Sequence, residues 1–181
     1  MFDLSDRELV RKAQRGDVAM VGKLYDRHRE RIFRYVWARV RDVHLAEDLT
    51  GEIFARMVAA LPHYRVQDVP FEAWLYRIAR NLVVDFVRRR AMREEVPLQF
   101  ADGRVQESNG VTAVVERQLT MERVLDALDS LDGLQREVIL LRFVVGMPVK
   151  EVAKVLEKSP AAVKSLQHRG LRTLRALVKD D

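Results

Sequence analysis

The chain has 181 residues and no cysteine, and 32 Lys and Arg against 27 Asp and Glu give it a net charge of +5. This excludes a disulfide framework and a thiolate metal site, and it suits a polyanionic partner. No apolar run approaches membrane-spanning length, and the opening MFDLSDRELVRKAQ is charged at once and lacks a signal-peptide core, so a cytoplasmic protein without membrane insertion is expected.

Leu, Val, Ala and Arg abound, while Gly and Pro are few and clustered. An all-α chain is therefore expected, built as two small helical domains joined by a flexible linker, the second with a helix-turn-helix. Ser5 and Glu8 have capping-box spacing for a first helix that stops at Gly16. Asp17 opens a second helix to about Val40, with Val21, Leu24, His28, Ile32, Tyr35 and Val36 as its buried stripe. His28 on that stripe reads as a packing residue, since no second His or Cys sits at ligand spacing.

After a turn at Arg41 and Asp42, a third helix runs to Pro62, with Leu45, Leu49, Ile53, Met57 and Leu61 on one apolar line. Its outer face carries Glu47, Asp48 and Glu52, either a solvated acidic face or a docking face for a basic partner. Gly51 in mid-helix costs about 1 kcal/mol relative to Ala. Residues 63–70 form a loop, in which Tyr64 is less committed to the core than the other aromatics. A fourth helix follows from Phe71 to about Arg93, burying Phe71, Trp74, Leu75, Ile78, Leu82 and Phe86. Arg77, Arg80, Asn81, Asp85 and Arg88 lie on or beside its outer face.

Residues 94–112 hold Pro97, Gly103, Gly110 and four acids without apolar periodicity, and read as the linker between domains 1–93 and 113–181. Helices are expected over 113–128 and 135–145, the second with Leu134, Val138, Leu141 and Arg142 at helical spacing. Then Val149, Val152, Ala153 and Leu156 mark a short helix, and Ser159 with Pro160 marks the start of another. The last helix is read to bury Val163, Leu166, Gly170, Leu174 and Leu177. From Lys158 to Lys179 there are six Lys or Arg and no acid. A compact helix, a turn and a capped basic helix make a helix-turn-helix, whose second helix can enter a major groove. Ser165, Gln167 and Arg169 can bond base edges, and the outer cations suit phosphates.

Four stretches in this order carry a resemblance: LVRKAQRGDVAMVGKLYDRH, AEDLTGEIFARMV, FEAWLYRIARNLVVDFVRRR, and the segment from LDGLQREVILLRF to the end of the basic helix. Together they cover nearly the whole chain, which resembles the extracytoplasmic-function (ECF) branch of the bacterial sigma-70 factors. The resemblance implies binding to core RNA polymerase through Glu47, Asp48, Leu49 and Glu52. It implies recognition and opening of a minus-ten promoter element through Tyr64, Arg65, Arg77, Arg80, Asn81, Asp85, Arg88 and Arg89, with the loop at 63–70 receiving a flipped base. It further implies minus-thirty-five recognition through Ser159, Lys164, Ser165, His168, Arg169 and Arg172. A monomer when free, held by an anti-sigma factor, is expected, with no cofactor, no metal and no catalysis of its own.

Two departures stand out. The family usually has Gln where this chain has Gly51, and it often has Leu-Pro before the QRE stretch, where this chain has Leu131-Asp132-Gly133-Leu134. The chain lacks the extra regions of housekeeping sigma factors and ends at Asp181 with no appended regulatory domain, so control is expected from outside. The alternative is a stand-alone helix-turn-helix regulator that binds a palindromic duplex. An enzyme acting on DNA needs an activated nucleophile; Ser5, Ser108, Ser130, Ser159 and Ser165 have no paired base in the sequence.

Overall fold

The computed structural model describes residues 4–65, 67–94 and 126–179. The expected linker beyond Glu94 and the helix expected to start near residue 113 lie outside them, apart from a helical turn at 126–129. Among the described residues there is no strand.

Capping chemistry sets the helix starts. Helix α1 (Asp6–Ala13) begins at Ser5, whose backbone N–H donates to Glu8 at 2.8 Å while its hydroxyl accepts from the Glu8 N–H. The chain reverses through Gly16 at φ +97° into α2 (Val18–Val40). Arg41, in the left-handed region at φ 56°, ends α2, and the Asp42 carboxylate accepts from the Leu45 N–H at 2.9 Å to start α3 (Val43–Ala60). A single 3-10 turn (Leu61–His63) leads toward α4 (Phe71–Glu94).

In the second region Asp132 caps α5 (Gly133–Ile139) by accepting from the Gln135 N–H at 2.8 Å. The expected straight helix over 135–145 differs from the structure: from Leu140 to Val144 the coil widens into a π turn. Helix α6 (Val149–Leu156) ends in Glu157, left-handed at φ 54°. Helix α7 (Pro160–Lys179) then starts with the Ser159 hydroxyl accepting from the Ala162 N–H at 3.1 Å.

α2, α3 and α4 pack around Leu24, Ile32, Ile53, Met57, Leu75 and Tyr76, and α1 lies across α2. α5, α6 and α7 close a smaller core around Val138, Leu141, Val152, Val163 and Leu166. Gly170 permits the close crossing of α5 and α7, because a Cβ there would stand 3.1 Å from the Ile139 side chain. Leu177, expected inside, is 39% exposed because α7 runs past the end of its neighbours. His28 packs as expected and adds a polar contact: its Nε2 lies at hydrogen-bond distance, 2.8 Å, from the Asp6 carboxylate.

Candidate nucleic-acid and partner interfaces

The outer face of α7 follows from its helical period. Val163, Leu166 and Gly170 face inward, so Lys164, Ser165, His168, Arg169 and Arg172 stand exposed on the other side. Among the described residues no ion pair involves Lys164, Arg169, Arg172 or Arg175. Such a one-signed face is suited to phosphate oxygens and base acceptors. Gln167 corrects the sequence reading. It is half-buried, and its Oε1 accepts from Arg142 Nε at 3.0 Å, while Arg142 Nη1 donates to the Met147 carbonyl. Gln167 therefore ties α7 to the π turn and is not on the outer face. Ser159 is exposed, with its oxygen engaged in the cap.

On α4 the proposed minus-ten residues divide. Asn81, Asp85, Arg88 and Arg89 are exposed, with Arg88 pairing to Asp85 at 3.4 Å and Arg89 donating to the Asp85 carbonyl at 3.2 Å. Arg77 and Arg80 are half-buried; Arg77 turns toward the second region, and Arg80 lies near Tyr35 of α2. Arg77 donates from Nε and Nη2 to the Lys154 carbonyl at 2.9 and 2.6 Å, and its Nη1 lies 3.2 Å from Glu157. In the loop, Arg65 is exposed but Tyr64 is not. Tyr64 stacks on Trp74 with ring centroids 4.5 Å apart, and its hydroxyl donates to the Val69 carbonyl at 2.5 Å. Burial pushes that hydroxyl up to about 12, so it stays a donor at neutral pH. The less committed loop aromatic is thus a core residue that shapes the loop.

On α3, Glu47 and Asp48 are exposed without an ion pair among the described residues, and Glu52 pairs with Arg56 one turn on. Leu49 is only 5% exposed and points into the core, so its part in this face is to hold the helix in place. A groove of about 310 Å³ between α2 and α3 is lined by Tyr25, Arg29, Phe33, Glu47, Thr50 and Gly51. A Cβ on Gly51 would meet nothing within 4 Å, so local packing does not require glycine there.

Sequence reasoning missed a polar cluster where the two regions meet. Glu137 on α5 is buried at 2% exposure. The Tyr35 hydroxyl of α2 donates to its Oε2 at 2.8 Å, and Arg39 Nη1 lies 3.3 Å from its Oε1. Burial, and then the Glu137 charge, push the Tyr35 hydroxyl well above its ordinary value and keep the proton on it. Nearby, Arg31 donates to the Val145 carbonyl at 3.1 Å and pairs with Glu72 at 2.6 Å. Arg41 bridges Asp126 at 2.5 Å and Asp129 at 2.7 Å. The signal was present: Glu137 falls three residues after Leu134 and four before Leu141, a carboxylate on the apolar stripe.

Comparison with known proteins agrees with this geometry. The Sigma-70 region 2 family matches residues 24–93, and the Sigma-70 region 4 family matches residues 121–174. The chain is 39% identical over 175 residues to the ECF RNA polymerase sigma factor BldN of Streptomyces coelicolor, covering 96% of this chain and 66% of that protein. It is 34% identical over 183 residues to the ECF RNA polymerase sigma factor ShbA of Streptomyces griseus, covering 94% of each. Its fold is similar to that of CnrH, solved in complex with the cytosolic domain of CnrY, with a TM-score of 0.76, 29% identity and coverage of 97% and 98% of the two chains. The chain belongs to the ECF sigma factors of the sigma-70 family.

Proposed function

We infer that this sigma factor binds core RNA polymerase and directs promoter-specific initiation, with residues 1–93 and 113–181 acting as separate domains on the two promoter elements. The observation that carries the reading is the division of charge. α7 offers Lys164, Arg169, Arg172 and Arg175 without an ion pair among the described residues, α4 carries Arg88, Arg89 and Arg90 near its end, and α3 exposes Glu47 and Asp48. Lys164, Arg169 and Arg172 hold minus-thirty-five phosphates, while Ser165 and His168 face base edges. Asn81 and the exposed end of α4 meet the opened minus-ten strand, with Arg65 at the loop beside them. Glu47, Asp48 and Glu52 dock on polymerase, and Gly51 leaves room there that a Gln side chain would fill. The work is binding and strand opening, without catalysis by this chain, in the cytoplasm. An anti-sigma protein controls it, a reading supported by the likeness to CnrH, which was solved with a protein partner.

The stand-alone regulator predicts tight duplex binding without polymerase, and nothing in the geometry favours it. The test is permanganate footprinting of promoter fragments with core polymerase. Asn81→Ala should reduce strand opening while leaving duplex occupancy, and Arg169→Ala should reduce occupancy itself. Normal opening with Asn81→Ala would remove Asn81 from the assignment.

A further inference from the structure

Helix α1 takes no part in the proposed promoter contacts, yet its surface is sorted by charge. Its acids are engaged within the fold. Arg27 Nη1 donates to the Asp6 carboxylate at 2.7 Å, with His28 Nε2 2.8 Å away, and Glu8 closes the capping box with Ser5. The cations are left over. Arg7, Arg11, Lys12 and Arg15 are exposed, and among the described residues no ion pair involves any of them.

Helical register divides these cations between two edges. Leu9, Val10 and Ala13 pack inward. Residues three and four apart share a face, and Gln14 keeps the right-handed helical conformation just past the end of α1. Arg7, Arg11 and Gln14 therefore line one edge, while Glu8 and Lys12 line the other. The Gln14 edge faces the loop at 63–70. Gln14 Nε2 donates to the Leu61 carbonyl at 2.9 Å and to the Tyr64 carbonyl at 2.7 Å, so the peptide that leads into exposed Arg65 is fixed to α1. Nearer the start of the helix, the Tyr64 hydroxyl comes close enough to Asp6 to feel its charge. The loop cannot leave this basic edge without breaking both bonds to Gln14.

We propose that the Arg7–Arg11 edge of α1, together with Arg65, is a phosphate track that carries the opened strand past the loop. Its occupant is single-stranded DNA, held through phosphates rather than bases. The track rests on the reading of the loop as the minus-ten pocket. A base that enters the loop brings its neighbouring phosphates to the loop's flank, and the cations on that flank have no anion of their own among the described residues. Phosphate contacts position a strand and carry no sequence information. The track thus adds affinity for any opened strand, while α4 and the loop select the sequence. Gln14 holds track and pocket in one fixed relation.

The full chain has no cysteine, so Arg7→Cys, Arg11→Cys, Lys12→Cys and Asn81→Cys each create a single attachment point for a short photoactivatable azide. Each labelled chain is bound to core polymerase and irradiated on a duplex with a central unpaired segment of mixed sequence. Arg7→Cys and Arg11→Cys should crosslink to the unpaired strand several times more efficiently than Lys12→Cys on the other edge. With the same probe, Arg7→Ala combined with Arg11→Ala should lower the slope of log affinity against log salt by about 1.4, at about 0.7 per single-strand phosphate. Lys12→Ala, which removes a charge from the same helix, should leave the slope unchanged. A slope that stays the same in the double variant overturns the phosphate contacts. Crosslinks to the paired arms overturn a single strand as the occupant. If Asn81→Cys crosslinks while Arg7→Cys and Arg11→Cys do no better than Lys12→Cys, the track falls and the minus-ten reading stands. If the two α1 labels crosslink and Asn81→Cys does not, the track stands and Asn81 loses its part. If none crosslinks, track and minus-ten reading fall together.

Discussion

The arginines of α4 and the cations of α7 look alike in sequence and differ in the fold. Arg77 is engaged by a carbonyl and a carboxylate of the other region, whereas Lys164, Arg169 and Arg172 have no intramolecular ion partner among the described residues. The difference shows that a basic helix face is not by itself an available one. α7 is presented by a cap and a packed inner stripe that leave its outer face clear. α4 sits in the middle of the molecule, and one side of it is already spent on the second region.

The largest effect that sharpens this contrast is on salt dependence. Replacing Lys164, Arg169 and Arg172 by Ala should weaken promoter binding by the polymerase complex more than roughly tenfold. It should also lower the slope of log affinity against log salt by about three, near one per phosphate contact. Titrations of filter-bound complex at several salt concentrations measure both; an unchanged slope would mean that these cations do not meet phosphates. Next in size is Gly170→Val. The added methyls must enter a space where a Cβ already stands 3.1 Å from Ile139, so the second region should lose about 1–3 kcal/mol in urea unfolding. The first region's own contacts are untouched by that change, so a uniform loss would show that the two unfold as one unit.

Caps give the next comparison. Ser5→Ala and Ser159→Ala each remove a hydroxyl that accepts a helix N–H, at about 1 kcal/mol apiece. Only Ser159→Ala should also weaken minus-thirty-five binding. The smallest effect is a pH dependence confined to the first region. Burial raises the Asp6 carboxyl, but the hydrogen bond and charge of His28, then those of Arg27, outweigh it and leave the group below its ordinary 3.8. A depressed carboxylate contributes stability that is present above 3.8 and is lost as pH falls through the lower folded value. Asp6→Asn should therefore lower the urea midpoint at neutral pH and leave less to lose below 3.8. An acid limb as steep as before would assign the loss to other groups.

Much of this was legible in the sequence because caps and stripes are local. Ser5 with Glu8, Asp17, and Ser159 with Pro160 mark helix starts within a residue or two of where they fall. The outer face of α7 follows from the same period that buries Val163 and Leu166. What was not legible depends on residues distant in sequence. Nothing near Gln167 reveals that Arg142, 25 residues earlier, takes its oxygen. Tyr64 is hidden because Trp74 returns over it, and Tyr35 meets Glu137 across 102 residues. Leu49 lies in the acidic docking stretch, and its own helical register turns it inward.

The central claim is that this chain gives core polymerase a promoter specificity it otherwise lacks. Run-off transcription on a pool of genomic promoter fragments, with purified bacterial core polymerase and with or without the protein, tests it most directly. The account predicts discrete new transcripts that depend on the protein, are weakened by Arg169→Ala, and share two spaced sequence elements upstream of their starts. No dependent transcripts, together with specific duplex binding by the protein alone, would contradict it.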